Sequence, residues 1–253
     1  MKIKVLVGTA LKDDAARVLA DRLVRLFPDD AERLALVSVR GDLGVGTEDE
    51  WLRRVGGGTR EIAQDGGWHG AALNFEPNKQ QAKADPDLAD AYRQSFHDGA
   101  ASRAIAALLE MSAVRMRAAA AGLRIGCWGA PQTRDIAGLL RTNMRYSLWY
   151  DLWDDLLPDV YARPGWGPDQ AAARVRRALT VANTLELRGC SPCLSAMTVG
   201  IGAPPITESV ALAQVEALAG WPSCTVWVDA AKGYDEQALG VDRILAAARR
   251  ACG

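Results

Sequence analysis

Short apolar runs alternate along this chain with longer segments whose apolar residues recur every three or four positions. The short runs read as buried strands and the longer ones as helices with one apolar face. Strands are expected over 3–8, 35–41, 70–76, 123–129, 158–163, 193–199 and 223–229. Helices are expected over 12–27, 100–121, 168–188, 207–219 and 236–250, with weaker helical patterns over 48–64 and 134–156. Val175, Leu179 and Ala182 share one face of the third of these helices. Ala211, Val215 and Leu218 share a face of the fourth, and Val241, Ile244, Leu245 and Ala248 a face of the last. Pro168 suits a first helical turn and Thr207 an N-cap. Gly122, Gly189 and Gly220 each stand between a helical pattern and a strand, where a left-handed residue ends a helix.

Seven strand patterns, each followed by a helical one, require a parallel sheet with right-handed crossovers. A closed barrel and an open doubly wound sheet both satisfy this. No glycine-rich dinucleotide fingerprint follows the first strand, where Gly8-Thr9-Ala10-Leu11 stands, and there is no P-loop. Gly56-Gly57-Gly58 follows a helical pattern and reads as a helix stop. The 253 residues match the length of a (β/α)8 TIM-type barrel, typically about 250. The expected fold is that α/β barrel, as one domain over 1–253, with one incomplete or irregular unit. Such a gap would expose strand edges and favour association with a second copy or an assembly partner. The irregular stretch 77–99 reads as an elaborated loop beside the site.

Charge removes some classes of function. Thirty basic residues against thirty-one acidic ones leave a net charge of −1, unlike the bulk basic charge of many nucleic-acid binders. No apolar run approaches the roughly 20 residues of a membrane helix. Met1-Lys2-Ile3-Lys4-Val5-Leu6-Val7 has no signal core and reads as a first strand, so a cytoplasmic or particle-associated location is expected. Five cysteines point to reduced thiols. Cys190 and Cys193 form a C-x-x-C pair without a second pair to complete a zinc site, and read as small buried residues at a strand entrance. No cofactor and no metal is expected.

Strand parity then sorts the polar residues. Strands of a parallel sheet are ordinarily apolar on both faces, so polar residues at their C-terminal ends mark chemistry. Asn74 and Glu76 share a face opposite Leu73 and Phe75. Arg40 and Asp42 share one with Leu36 and Ser38, and Trp227 and Asp229 share one with Thr225. Trp128 pairs with Gly126, and Tyr161 with Arg163. A barrel gathers Arg40, Asp42, Asn74, Glu76, Trp128, Tyr161, Trp227 and Asp229 at one mouth. Carboxylates, a phenol and indoles together suit a carbohydrate. Bland readings stand beside this one. Asp42 and Asp229 can cap helices, Trp128 and Trp227 can fill a core, and Arg40 can pair with Asp42 or Glu76. Asp151, Asp154 and Asp155 read as the solvated side of an amphipathic helix, and His69 as structural.

Leu73-Asn74-Phe75-Glu76-Pro77 resembles the catalytic strand of substrate-assisted (β/α) barrel glycoside hydrolases, the chitinases, hyaluronidases and endo-β-N-acetylglucosaminidases. Leu156 to Tyr161 and Val226 to Asp229 resemble two further strands of these barrels. The resemblance implies a glycan substrate with N-acetylated sugars, with Glu76 as general acid/base and Asn74 and Tyr161 holding the acetamido group and its cyclised intermediate. It implies stacking of sugar rings on Trp128 and Trp227, and sugar hydroxyls on Asp42 or Asp229. Ala72 stands where chitinases carry a further Asp. Two alternatives stay open: an inactive structural or carbohydrate-binding barrel in an assembly such as a phage tail, and a small-metabolite enzyme using Gly200-Ile201-Gly202-Ala203 for phosphate.

Overall fold

A computed structural model describes residues 1–8, 14–26, 31–38, 48–74, 99–128, 151–198, 204–228 and 234–252. Strands β1 (Lys2–Val7), β2 (Ala31–Ser38), β3 (Gly70–Asn74), β4 (Arg124–Trp128), β5 (Asp155–Leu157), β6 (Cys193–Ser195) and β7 (Ser223–Val228) form one sheet. Helices α1 (Asp14–Leu26), α2 (Glu48–Asp65), α3 (Gly99–Ala119), α4 (Pro168–Thr184), α5 (Glu208–Glu216) and α6 (Tyr234–Cys252) lie between and after them. Among the described residues no helix is long and apolar enough to cross a membrane.

All six strand pairings are parallel, in the order β5-β4-β3-β2-β1-β7-β6. Two parallel bridges, Leu156 to Cys190 and Asp159 to Cys193, join the outer strands. Four backbone bonds run along that seam: Leu156 N–H to Gly189 O, Ser191 N–H to Leu156 O, Cys193 N–H to Pro158 O and Val160 N–H to Cys193 O, at 2.8–3.1 Å. The ring therefore closes on seven strands, and the molecule is a TIM-type α/β barrel. The irregular eighth unit has no strand among the described residues.

The seam explains the largest displacement from the expected elements. β5 lies at 155–157, ahead of the expected 158–163, and takes residues expected to be helical. Pro158 offers no N–H to the ladder and ends β5; Pro192 does the same before β6. Each strand is held to three residues, too few for a periodicity to show.

Two apolar layers result. Odd-numbered residues of β1 (Ile3, Val5, Val7) face the helices with Ala35, Val37, Leu73, Ile125 and Val226. Against them pack Val175 of α4, Ala211 and Val215 of α5, and Val241, Ile244, Leu245 and Ala248 of α6, much as their spacing predicts. Inside the barrel lie Leu6, Leu34, Ala72, Trp128, Leu157, Tyr161 and Cys193, with Leu36 and Trp227 against them. Thr207 caps α5, its side chain accepting from Val210 N–H, and Pro168 opens α4.

The glycine triplet is not a helix stop. Gly56, Gly57 and Gly58 lie inside α2. Buried Trp51, Leu52, Val55 and Ile62 on the same helix outweigh their poor propensity. Gly122, Gly189 and Gly220 do adopt positive φ, at 93°, 68° and 78°. Gly189 is sterically required, since a Cβ there would overlap the Asp154 carbonyl. α4 itself stops earlier, at Thr184, with Glu186 at φ 51°.

Candidate functional site at the C-terminal ends of the strands

Alternation along β3 turns Gly70, Ala72 and Asn74 to the barrel interior, with Leu73 outward. The β3–β4 register sets Asn74 beside Trp128 and Ala72 beside Gly126. Trp227 projects inward from β7 two residues beyond Thr225, paired with inward Leu6. Tyr161 follows β5 by four residues and enters the same interior cluster.

The three aromatic side chains form one group. The Tyr161 and Trp227 rings stack with centroids 5.4 Å apart and planes 15° apart. Trp128 leans on both, at 6.2 Å from Tyr161 and 5.9 Å from Trp227. The Trp128 indole N–H donates to Tyr161 Oη at 2.7 Å. Tyr161 Oη lies 3.6 Å from Cys193 Sγ. Burial pushes the Tyr161 phenol well above its usual range, and pushes the Cys193 thiol up likewise. Both are protonated, neutral groups around pH 7.

Side chains from two helices fix the segment that carries Tyr161, which is not a regular strand. Gln214 of α5, buried, donates Nε2–H to Val160 O at 2.7 Å. Arg174 of α4 donates to Asp159 O at 3.0 Å and to its carboxylate at 3.2 Å. Val160 N–H completes the clamp on Cys193 O. Neither Gln214 nor Arg174 stands out in the sequence, because each occupies an ordinary helix position.

Asn74 carries a buried polar atom whose hydrogen bond is not made within the described residues. It is 4 % exposed, and its Oδ1 has no hydrogen-bond partner among the described residues. A buried acceptor left unmade costs about 1–3 kcal/mol. The strand-end carboxamide thus holds an unused acceptor beside the Trp128 indole, among the described residues.

The structure thus brings together four of the eight expected site residues: Asn74, Trp128, Tyr161 and Trp227. Arg40, Asp42, Glu76 and Asp229 lie outside the described residues, as do Gly200 to Ala203. Arg163, which shares parity with Tyr161, is exposed and lies over the Trp166 ring.

The opposite end of the interior holds charges that the sequence reading did not place. Lys4 of β1 is 4 % exposed and pairs with Asp155, which is fully buried. Arg124 donates to both Asp155 oxygens, at 3.1 and 2.9 Å. Glu32 stands nearby, 3.8 Å from Arg124. Burial raises the Glu32 carboxyl, but Lys2 and the Arg124 charge outweigh it and hold the group below its usual value. Asp154 accepts from Ile125 N–H at 2.8 Å and pairs with Arg117. The two acidic residues are therefore structural anchors rather than the solvated side of a helix. Parity gives the signal for Lys4, which shares its face with inward Leu6. His69 sits at this end too, accepting from Arg33 N–H at 3.0 Å. Cys190 and Cys193 are buried free thiols at the entrance to β6.

No protein-family model and no curated protein matches the sequence. Among solved structures the chain is similar to bee venom hyaluronidase, with a TM-score of 0.63 at 13 % identity, covering 97 % of each chain. A structure of bee venom hyaluronidase in complex with a hyaluronic acid tetramer aligns at a TM-score of 0.43 and 15 % identity, over 96 % of this chain and 87 % of that one. Methylaspartate ammonia lyase of Citrobacter amalonaticus aligns at 0.43 and 10 % identity, over 99 % of this chain and 58 % of the lyase. At 13 % identity the first of these is a likeness of fold.

Proposed function

We propose that the protein is a glycan-acting barrel that binds N-acetylated sugars at the C-terminal ends of its strands and cleaves them with Glu76. The observation that carries this reading is the buried Asn74 carboxamide, its oxygen unpartnered among the described residues, beside Trp128 at the end of β3. A carboxamide oxygen there accepts the N–H of an acetamido group, while the indoles offer apolar faces to sugar rings. Glu76, two residues on and of the same parity, is the general acid/base. Tyr161 completes the acetamido pocket, and Arg40, Asp42 and Asp229 take sugar hydroxyls. The barrel-wide likeness to a hyaluronidase supports the same reading by analogy of fold.

The test is release of reducing ends from chitin oligomers, peptidoglycan and N-glycans by the parent and by Glu76→Gln. A general acid contributes about 10²–10⁴-fold, so the variant should lose turnover by that factor while retaining its circular dichroism spectrum. Turnover within a few-fold of the parent removes Glu76 from the role.

One observation favours a second reading, a barrel that binds without cleaving. Tyr161 and Trp227 stack on one another, which spends one face of each ring on the protein itself. Saturable glycan binding with no release by the parent would select that reading.

A further inference from the structure

Tyr161 Oη is the middle of a chain of hydrogen bonds whose direction is set by its ends. At one end the Trp128 indole N–H can only donate, and it donates to Tyr161 Oη at 2.7 Å. At the other end the Leu194 carbonyl can only accept, and Cys193 Sγ–H reaches it at 3.9 Å. Between them Tyr161 Oη and Cys193 Sγ are 3.6 Å apart, a contact that either atom could donate. If the thiol donated to Oη, the phenol proton would have no acceptor among the described residues. If the phenol donates to Sγ, every proton in the chain is used: Trp128 N–H to Tyr161, Tyr161 O–H to Cys193, Cys193 S–H to Leu194. Such chains strengthen each member by polarisation. Cys193 is wholly buried, whereas Tyr161 retains a little exposure, at 6 %. The phenol proton is thus given to the sealed side.

We propose that Cys193 is a positioning residue for Tyr161: it holds the phenol proton, so that Tyr161 meets a ligand as a hydrogen-bond acceptor and not as a donor. The ligand group that suits this state is an O–H donor, a sugar hydroxyl, the acetamido N–H being taken by Asn74 in the reading above. A ligand that offers Tyr161 only an acceptor must first break the bond to sulfur. The statement about ligands rests on the glycan reading above; the statement about the proton does not, and the two are tested separately.

The proton is followed at its neighbour. The Trp128 indole N–H resonance, assigned by its loss in Trp128→Phe, reports the strength of its bond to Tyr161. Removing the acceptor in Tyr161→Phe should move it upfield. Cys193→Ala leaves that acceptor in place but ends the chain beyond it, and should move the resonance upfield by a smaller amount. Cys193→Ser restores a polar terminus and should return the resonance towards the parent position, a rescue that mere loss of packing volume does not predict. Should Cys193→Ala unfold, the serine variant still decides, because a resonance displaced in Cys193→Ser as far as in Tyr161→Phe overturns the chain; where the alanine variant folds, equal displacement in the serine and alanine variants overturns it too. The ligand arm uses chitin tetramer, followed by tryptophan fluorescence. Its affinity should fall in Tyr161→Phe and change severalfold in Cys193→Ala. No change in Cys193→Ala, with the resonance moved as expected, overturns the role in binding while the proton assignment stands. Absence of tetramer binding by the parent counts against the glycan reading alone, and the resonance then decides the proposal.

Discussion

Asp155 shows how a single side chain can organise one end of the barrel. It is fully buried, yet it receives Lys4 from β1 and Arg124 from β4. Such a group is stable only with its partners, because a buried charge left alone costs far more than the pair contributes. Asp155→Ala is therefore expected to destabilise the fold by about 3–5 kcal/mol, through the buried Lys4 ammonium that it strands. The double variant Lys4→Met/Asp155→Leu should recover most of that loss, since apolar replacements of a buried pair are often neutral. Urea unfolding of parent, single and double variants checks both statements; a double variant no better than the single one would refute the assignment of cost to the stranded charge. At this scale the sequence was legible where parity could be read along a strand. Asn74, Trp128 and Trp227 follow from alternation alone. Asp155 does not, because it opens a three-residue strand behind an aromatic stretch with helical spacing. Cys193 does not either, because its hydrogen-bonding role depends on Tyr161, thirty-two residues away in sequence and adjacent only through the seam.

The elements were more legible in kind than in extent. α5 and α6 bury the apolar stripes that their spacing predicts, because each lies on one face against the barrel. α2 departs from local propensity. Its three glycines weaken the helix, but two of them also allow close packing. A Cβ at Gly56 would meet Arg115 Cγ of α3 at 3.1 Å, and one at Gly58 would meet Val37 Cγ1 of β2 at 3.2 Å. Gly57 meets nothing within 4 Å. Gly57→Ala should accordingly stabilise the protein by about 0.5–1 kcal/mol, the ordinary gain of alanine over glycine in a helix. Gly58→Ala should return little or none of it, because Val37 must shift. A midpoint of urea unfolding that rises equally in both variants would show that the packing argument for Gly58 is wrong. β5 is the opposite case. Its position is set by Pro158 and by the partner it finds in Cys190, and neither constraint leaves a periodic trace in the sequence.

At the scale of the whole molecule, the closed ring separates two environments. The C-terminal end holds the aromatic group and Asn74, and the other end holds the charges around Asp155. Closure also seals thiols in the wall. Cys127, Cys190, Cys193 and Cys224 are all buried. Burial pushes Cys190 from 9.0 to about 12, against the pull of Lys4, and pushes Cys127 and Cys193 up as well. In the unfolded chain the same groups ionise near their ordinary values. Between pH 9 and 12 the folded state therefore binds more protons than the unfolded one, and linkage requires stability to fall as pH rises through that window. The contribution is fully present below pH 9. Each unit of separation corresponds to about 1.4 kcal/mol, so Cys190 alone makes a sizeable part of the slope. The thermal midpoint, followed by circular dichroism at pH 8, 9 and 10, should hold from 8 to 9 and then decline. Cys190→Ala should flatten the decline, because it removes a group whose ionisation only unfolding permits. Cys190 lends itself to this test, since its contact with the Trp221 indole N–H is made by the backbone carbonyl, at 2.9 Å, and survives the substitution. An equal decline in parent and variant would mean that the wall admits solvent at the seam and that the thiol ionises within the folded barrel.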